Sequence, residues 1–242
     1  MAITNLTVED RQALYNFLRQ QSPLDKSQAG HVLKNQLLDT LCALNPLPEG
    51  LEDVLAQVYQ DRSQNVVLRD YAVQHMVAFY EQMEKVPDDS QPAKQNDLSK
   101  VQRALWEALN ETDSSIAGTA LLGLEQLSEE RVEFDQNRIA AKALQLAGGN
   151  DTGELTRITA FQVCARLNVQ DALPLLEQAA SQGQSISLRI SAIGALGTMG
   201  NDQAVPLLNR LLNGTEERLK LPAQQALMQI ELKQGQARAA SM

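Results

Sequence analysis

Ser187-Leu188-Arg189-Ile190-Ser191-Ala192-Ile193-Gly194-Ala195-Leu196-Gly197-Thr198-Met199-Gly200 carries the pattern from which the rest of the chain is built. Leu188, Ala192, Ala195, Leu196 and Met199 fall near one face at helical spacing, so the segment reads as an amphipathic helix. Gly200 stops it, and Asn201-Asp202 opens a second helix carrying Ala204, Val205, Leu207, Leu208 and Leu211. The unit is a helical hairpin with a very short turn. It recurs 32 positions earlier, where Thr156-Arg157-Ile158-Thr159-Ala160 lies under Leu188-Arg189-Ile190-Ser191-Ala192 and Pro174 lies under Pro206. A whole helix–turn–helix pattern matching at one offset is the mark of a stacked repeat array. Leu219-Lys220-Leu221-Pro222-Ala223 continues the frame, and Ile116–Ala120 and Leu68–Ala72 fit it at wider spacing.

The run Leu188-Arg189-x-x-Ala192-x-x-Ala195-Leu196-Gly197-x-x-Gly200, followed by Asp202-x-Ala204-Val205-Pro206-x-Leu208, resembles the HEAT repeat. Within that family it is most similar to the subtype named after phycobilin lyases. The resemblance is specific over residues 153–232, looser over 64–150, and only helical in character over 1–63. It implies an all-α fold, a right-handed α-α superhelix (HEAT-like solenoid) of about five to six helical hairpins. The expected organisation is a single domain over 1–233, with regular repeats at 153–232 and irregular ones at 1–150. The family likeness also implies that Ala and Gly positions let neighbouring helices approach closely. A recurrent arginine would pair with backbone or acidic groups of an adjacent repeat, a role that falls on Arg157, Arg189 and Arg69. Lys220 departs from this pattern, because it lacks the planar guanidinium fork.

Two segments interrupt the pattern. Residues 86–96 hold Pro87, Asp88, Asp89 and Pro92 without periodicity and read as a flexible acidic loop. Residues 234–242, with Gly235 and little to bury, read as a flexible tail after a terminal helix ending near Lys233. Thr7 opens the first helix, with Asp10 three residues on as an acidic form of the capping box.

Composition narrows the function. The chain has 242 residues, 43% hydrophobic but only 4% aromatic, so its apolar mass is the Ala and Leu that suit helix-on-helix packing. The net charge is −9, with −7 carried by residues 1–121. Neither half has the basic footprint that phosphate backbones require, which argues against nucleic acid and against the DNA glycosylases of HEAT architecture. No run approaches the roughly 20 apolar residues of a membrane span. Cys42 and Cys164 read as small buried hydrophobes. As written, the chain opens on no secretory signal, which fits a cytoplasmic protein; an extracytoplasmic one is the alternative if a signal has been trimmed.

Catalytic signatures are weak. His31 and His75 are the two histidines, and Glu81 lies off the i, i+4 face of His75. This argues against the di-iron hydroxylases built on HEAT repeats. No Gly-x-Ser-x-Gly motif or phosphate-binding glycine loop is present. The expectation is a non-enzymatic protein–protein interaction scaffold with no metal and no cofactor. Alternatives are a phycobilin-lyase-like or other cofactor-handling HEAT protein, which rests on fold-level analogy, and a structural module of a larger assembly.

By family resemblance, the second helix of each hairpin lines the concave side. Aligned on Ala72, Ala120, Ala160, Ala192 and Ala223, the positions one before and two after should face outward. They give Tyr71 and Gln74, Thr119 and Leu122, Thr159 and Gln162, Ser191 and Gly194, then Pro222 and Gln225. The candidate partner-binding residues are Tyr71, Gln74, His75, Thr119, Thr159 and Gln162, centred on the first three. The expected partner is a protein or peptide. Asp70, Glu81, Glu84, Asp88 and Asp89 around Tyr71 favour a basic one.

Overall fold

Gly200 sits in the left-handed region at φ 74° and ends its helix, its N–H donating to the carbonyls of Leu196 and Gly197. A side chain would be strained there, which is why glycine stops this helix. Asn201 then accepts from the N–H of Gln203 at 2.8 Å and starts a short 3-10 turn, Asp202–Ala204. The following helix carries Pro206 in its first turn, where a missing N–H costs nothing. The same turn and first-turn proline recur at Gln170–Ala172 and Pro174.

These rules produce twelve helices among the residues that the computed structural model describes, namely 6–21, 27–84, 98–112, 114–181 and 183–240. They form six hairpins: α1 (Val8–Arg19) with α2 (Gln28–Cys42), α3 (Leu51–Gln60) with α4 (Val66–Glu84), and α5 (Leu98–Ala108) with α6 (Ile116–Ser128). Then come α7 (Gln136–Gly148) with α8 (Glu154–Arg166), α9 (Leu173–Ala180) with α10 (Ile186–Met199), and α11 (Val205–Leu212) with α12 (Glu217–Ala240). No strand occurs among the described residues. The fold class is the all-α, HEAT-like array of helical hairpins expected from the repeat.

The helices gather into two compact units, residues 1–111 with 115–130, and 112–114 with 131–242. In unit 1 the first helices α1, α3 and α5 pack in one layer and the second helices α2, α4 and α6 in another. In unit 2 the second helices α8, α10 and α12 pack side by side, and α7 and α9 lie against α8 and α10, with α11 against α12.

One register organises the second helices. Ala72, Ala120, Ala160, Ala192 and Ala223 are all 0% exposed. Within each unit a residue five places after this alanine packs on one three places after it on the next second helix, as Val77 does on Gly123 and Gly197 on Ala226. A Cβ on Gly197 would stand 2.7 Å from Ala226 Cα, and one on Gly123 would stand 2.3 Å from Val77 Cγ2. The register also reaches α2, which the sequence showed only as helical. Lys34, Leu38, Leu41 and Cys42 are buried in the places of Ala72, Met76, Phe79 and Tyr80.

Cations on the second helices close the C-terminal ends of the first ones. Nε donates to the Tyr59 carbonyl from Arg69 at 2.6 Å, to that of Ala147 from Arg157 at 3.4 Å, and to that of Ala180 from Arg189 at 3.2 Å. Lys34 Nζ does the same for α1, donating to the Gln20 carbonyl at 2.8 Å. These contacts satisfy orphan carbonyls and place positive charge at the negative end of the helix dipole. The expected partner was an adjacent repeat. The carbonyls belong instead to the first helix of the same hairpin, whose C-terminus lies beside the start of the second. Arg69 also reaches an acidic group, Glu111, beyond α5. Lys220 has no such role and pairs with Glu217 at 2.6 Å.

Other expectations need correction or fall on residues outside those described. The terminal helix continues to Ala240 rather than fraying after Lys233. Lys233 Nζ donates to the Thr198 carbonyl and Gln234 to the Asp202 carboxylate, tying this stretch to the end of α10. Residues 241–242 and the acidic loop at 86–96 lie outside the described residues. Thr7 caps α1 as expected, its hydroxyl accepting from the Asp10 N–H at 3.1 Å.

Ala192→Glu should unfold unit 2 or lower its melting temperature more than any outward substitution on α10. It forces an unpaired carboxylate into a fully closed contact, at a cost of about 3 to 5 kcal/mol; thermal denaturation followed by circular dichroism would check it. Two glycines on the same helix should respond with opposite sign. A Cβ on Gly194 would meet nothing within 4 Å, so Gly194→Ala should stabilise by about 0.5 to 1 kcal/mol. Gly197→Ala should destabilise, because Ala226 backbone occupies the space.

Candidate outward face

The register decides which side chains reach solvent. Tyr71, Thr119, Thr159, Ser191 and Pro222, one place before the alanine, are all half-buried. Gln74, Leu122, Gln162, Gly194 and Gln225, two places after it, are all exposed. Two parallel rows therefore run across the second helices of each unit, as the periodicity implied. In unit 2 the rows lie close across neighbouring helices: Ser191 Oγ on α10 donates to the Ile158 carbonyl on α8 at 3.3 Å. Thr159 Oγ1 bonds its own helix, at the Leu155 carbonyl, at 3.2 Å.

The two units differ in what surrounds these rows. In unit 2, two places before the alanine stand Ile158, Ile190 and Leu221, the last 61% exposed, with Leu155 one turn ahead of Ile158 at 66%. The rows themselves carry no charge. In unit 1 the corresponding place on α4 is Asp70, whose Oδ2 accepts from Ser115 Oγ at 3.1 Å. Glu81 farther along α4 accepts from Gln126 of α6. The side chain of Glu84, and Asp88 and Asp89, are not among those described. Leu33 and Gln36 of α2 extend the rows by one helix, and the sequence reading missed both because Lys34 stands where every other second helix has alanine.

His75 does not belong to this face. It is 8% exposed, and its Nε2 lies 3.0 Å from Asn35 Oδ1 and 3.5 Å from Asp39 Oδ1 on α2. The register explains this. His75 stands three places after Ala72, where the other helices have Gly123, Val163, Ala195 and Ala226, and all of these are buried. That comparison was available from the aligned repeats. It outweighs the one-turn proximity to Tyr71 that suggested a shared surface.

The other reactive groups are also locked away. Burial pushes the Cys42 and Cys164 thiols up to about 12, with Asp39 adding to the effect at Cys42. Such thiols are protonated and inert at neutral pH. Among the described residues no group of three or more His, Cys, Asp or Glu side chains is placed to hold a metal ion. No described helix is long and apolar enough to cross a membrane. An open groove of about 370 Å³ runs between α9 and α11, with Glu177, Gln178, Gln203 and Arg210 among its walls.

Burial holds the His75 pKa below its ordinary 6.5, and Asp39 only partly offsets this. The unfolded chain therefore binds the proton more readily than the folded one. Stability contributed at this site is complete above pH 6.5 and declines as the pH falls below it. Chemical denaturation of the wild type should show this decline between about pH 6.5 and 5. His75→Gln, which keeps an amide donor for Asn35, should flatten the slope over the same interval.

Comparison with known proteins agrees with this architecture over part of the chain. Residues 140–228 match the family model of HEAT repeats. No curated protein sequence matches the chain. A solved structure of human deoxyhypusine hydroxylase in complex with glycerol aligns over 95% of this chain and 93% of that one, at 18% identity and a TM-score of 0.36. Overlap at that level carries no inference about activity. The subtype named after phycobilin lyases is not distinguished by these matches. The repeat register, the closed alanine contacts and the family model agree that residues 140–228 are similar to HEAT repeats.

Proposed function

We propose that the chain is a non-catalytic interaction module that binds a protein or peptide through the outward rows of its second helices. One observation carries this reading. On α4, α6, α8, α10 and α12 the position two places after the register alanine is exposed and the one before it half-buried, while the alanine itself and the residue three places after it are closed. The open positions are chiefly uncharged, with side-chain amides at Gln36, Gln74, Gln162 and Gln225 that can donate and accept together. Such groups suit the backbone and side chains of a polypeptide partner better than a phosphate backbone. His75, Cys42 and Cys164, which could otherwise do acid–base or nucleophilic work, are engaged in packing, and this supports a binding role over a catalytic one. The acidic surround of the unit 1 rows favours a basic partner.

The reading is tested by site-specific photocrosslinking in an extract of the native source. A crosslinking amino acid at Gln74 or Gln162 should give discrete, saturable adducts. The same group at Arg103 of α5 or Gln178 of α9, both exposed on first helices, should not. Adducts only from the first helices, or none from either Gln74 or Gln162, would overturn the proposal.

A further inference from the structure

We infer that the outward face of unit 1 docks a basic amphipathic segment of a partner protein. This rests on the interaction reading above and adds to it the place of docking and the chemistry of the partner. The face carries exposed aliphatic side chains on all three of its helices. Val32 and Leu33 on α2, Val67 on α4 and Leu122 on α6 are 45, 47, 42 and 39% exposed, with Tyr71 half-buried among the same rows. In unit 2 the places of Leu33 and Tyr71 are filled by Thr159, Ser191 and Pro222. A surface of this kind gains from covering aliphatic area, which calls for an apolar stripe on the partner.

Among the described residues, the lysine, arginine, aspartate and glutamate side chains that α2, α4 and α6 leave accessible have one sign. Asp39, whose side chain is 61% exposed, Asp70 and Glu81 all lie on these helices. The lysine and arginine of α2, α4 and α6 are Lys34 and Arg69. Both are buried and committed to the ends of α1 and α3. Lysine or arginine side chains flanking the apolar stripe of a partner would therefore meet carboxylates and no exposed cation of these helices. An acidic or neutral segment would gain only the apolar part, so charge selects among amphipathic partners.

Three synthetic amphipathic peptides test this, of equal length and leucine placement, with Lys, Gln or Glu on the polar face. Their binding to the full chain is followed by fluorescence anisotropy of a label on the peptide. The Lys peptide should bind about tenfold tighter than the Gln peptide, and its affinity should fall about three- to tenfold between low and high salt. Leu33→Ser, an uncharged change at an exposed site, should weaken the Lys peptide about tenfold, as should Asp39→Asn combined with Glu81→Gln. Equal binding of the Lys and Gln peptides would overturn the inference while leaving the interaction module intact. Binding of the Lys peptide that ignores Leu33→Ser would overturn it too, since that is attraction by net charge alone. Failure of the interaction reading itself shows elsewhere, as the absence of crosslinks from both Gln74 and Gln162.

Discussion

Neighbouring second helices approach one another closely, and that contact governs the packing within each unit. Helices pack about 8 to 10 Å apart, and the side chains at the contact set where in that range they fall. Here the contact pairs one small residue with its neighbour: Gly123 with Val77 in unit 1, Gly197 with Ala226 in unit 2. Either pair leaves no room for an added methyl group. That fit fixes the rotation of each helix about its axis, and once rotation is fixed every other position along the helix has its fate assigned. The alanines close the core, and the residues beside them on the open side form the rows.

Electrostatics completes each hairpin. A helix that ends inside a packed array leaves carbonyls without partners and a partial negative charge. Arg69, Arg157 and Arg189 meet that need from the first turn of the following helix, and Lys34 meets it in the first hairpin from a different place. A guanidinium can bond a carbonyl through Nε while its other nitrogens remain usable. Arg69 shows this, holding Tyr59 and Glu111 at once. Lys34 must bury a whole alkyl chain to reach Gln20, and it occupies the place where the other helices need an alanine. The same physical requirement is thus satisfied by two residue types, one of which hides the repeat from a pattern search.

The consequence for function is a surface whose backbone geometry repeats while its chemistry does not. Unit 2 sets an aliphatic row of Ile158, Ile190 and Leu221 beside uncharged polar ones. Unit 1 sets Leu33, Tyr71 and Leu122 among carboxylates. Repeats of this kind let partner chemistry vary on the open positions while the closed ones keep the packing. The difference in charge between the units follows from a few residues, above all Asp70, which stands where unit 2 has isoleucine or leucine.

Local sequence specified the hairpins, the turns within the second unit, and the outward rows. These follow from local rules: apolar spacing, a glycine at Gly200 that accepts a left-handed φ without strain, first-turn prolines at Pro174 and Pro206, and a repeat offset that lines up the alanines. It also determined that the thiols are buried, since cysteine on an apolar helix face packs as a small hydrophobe. The tertiary structure decided what depends on contacts between distant residues. It placed His75 against Asn35 and Asp39, turned Lys34 inward to close α1, tied Lys233 and Gln234 to the end of α10, and divided the hairpins between two units. No window of local sequence carries those facts, because each is set by which helix lies alongside and how near it comes.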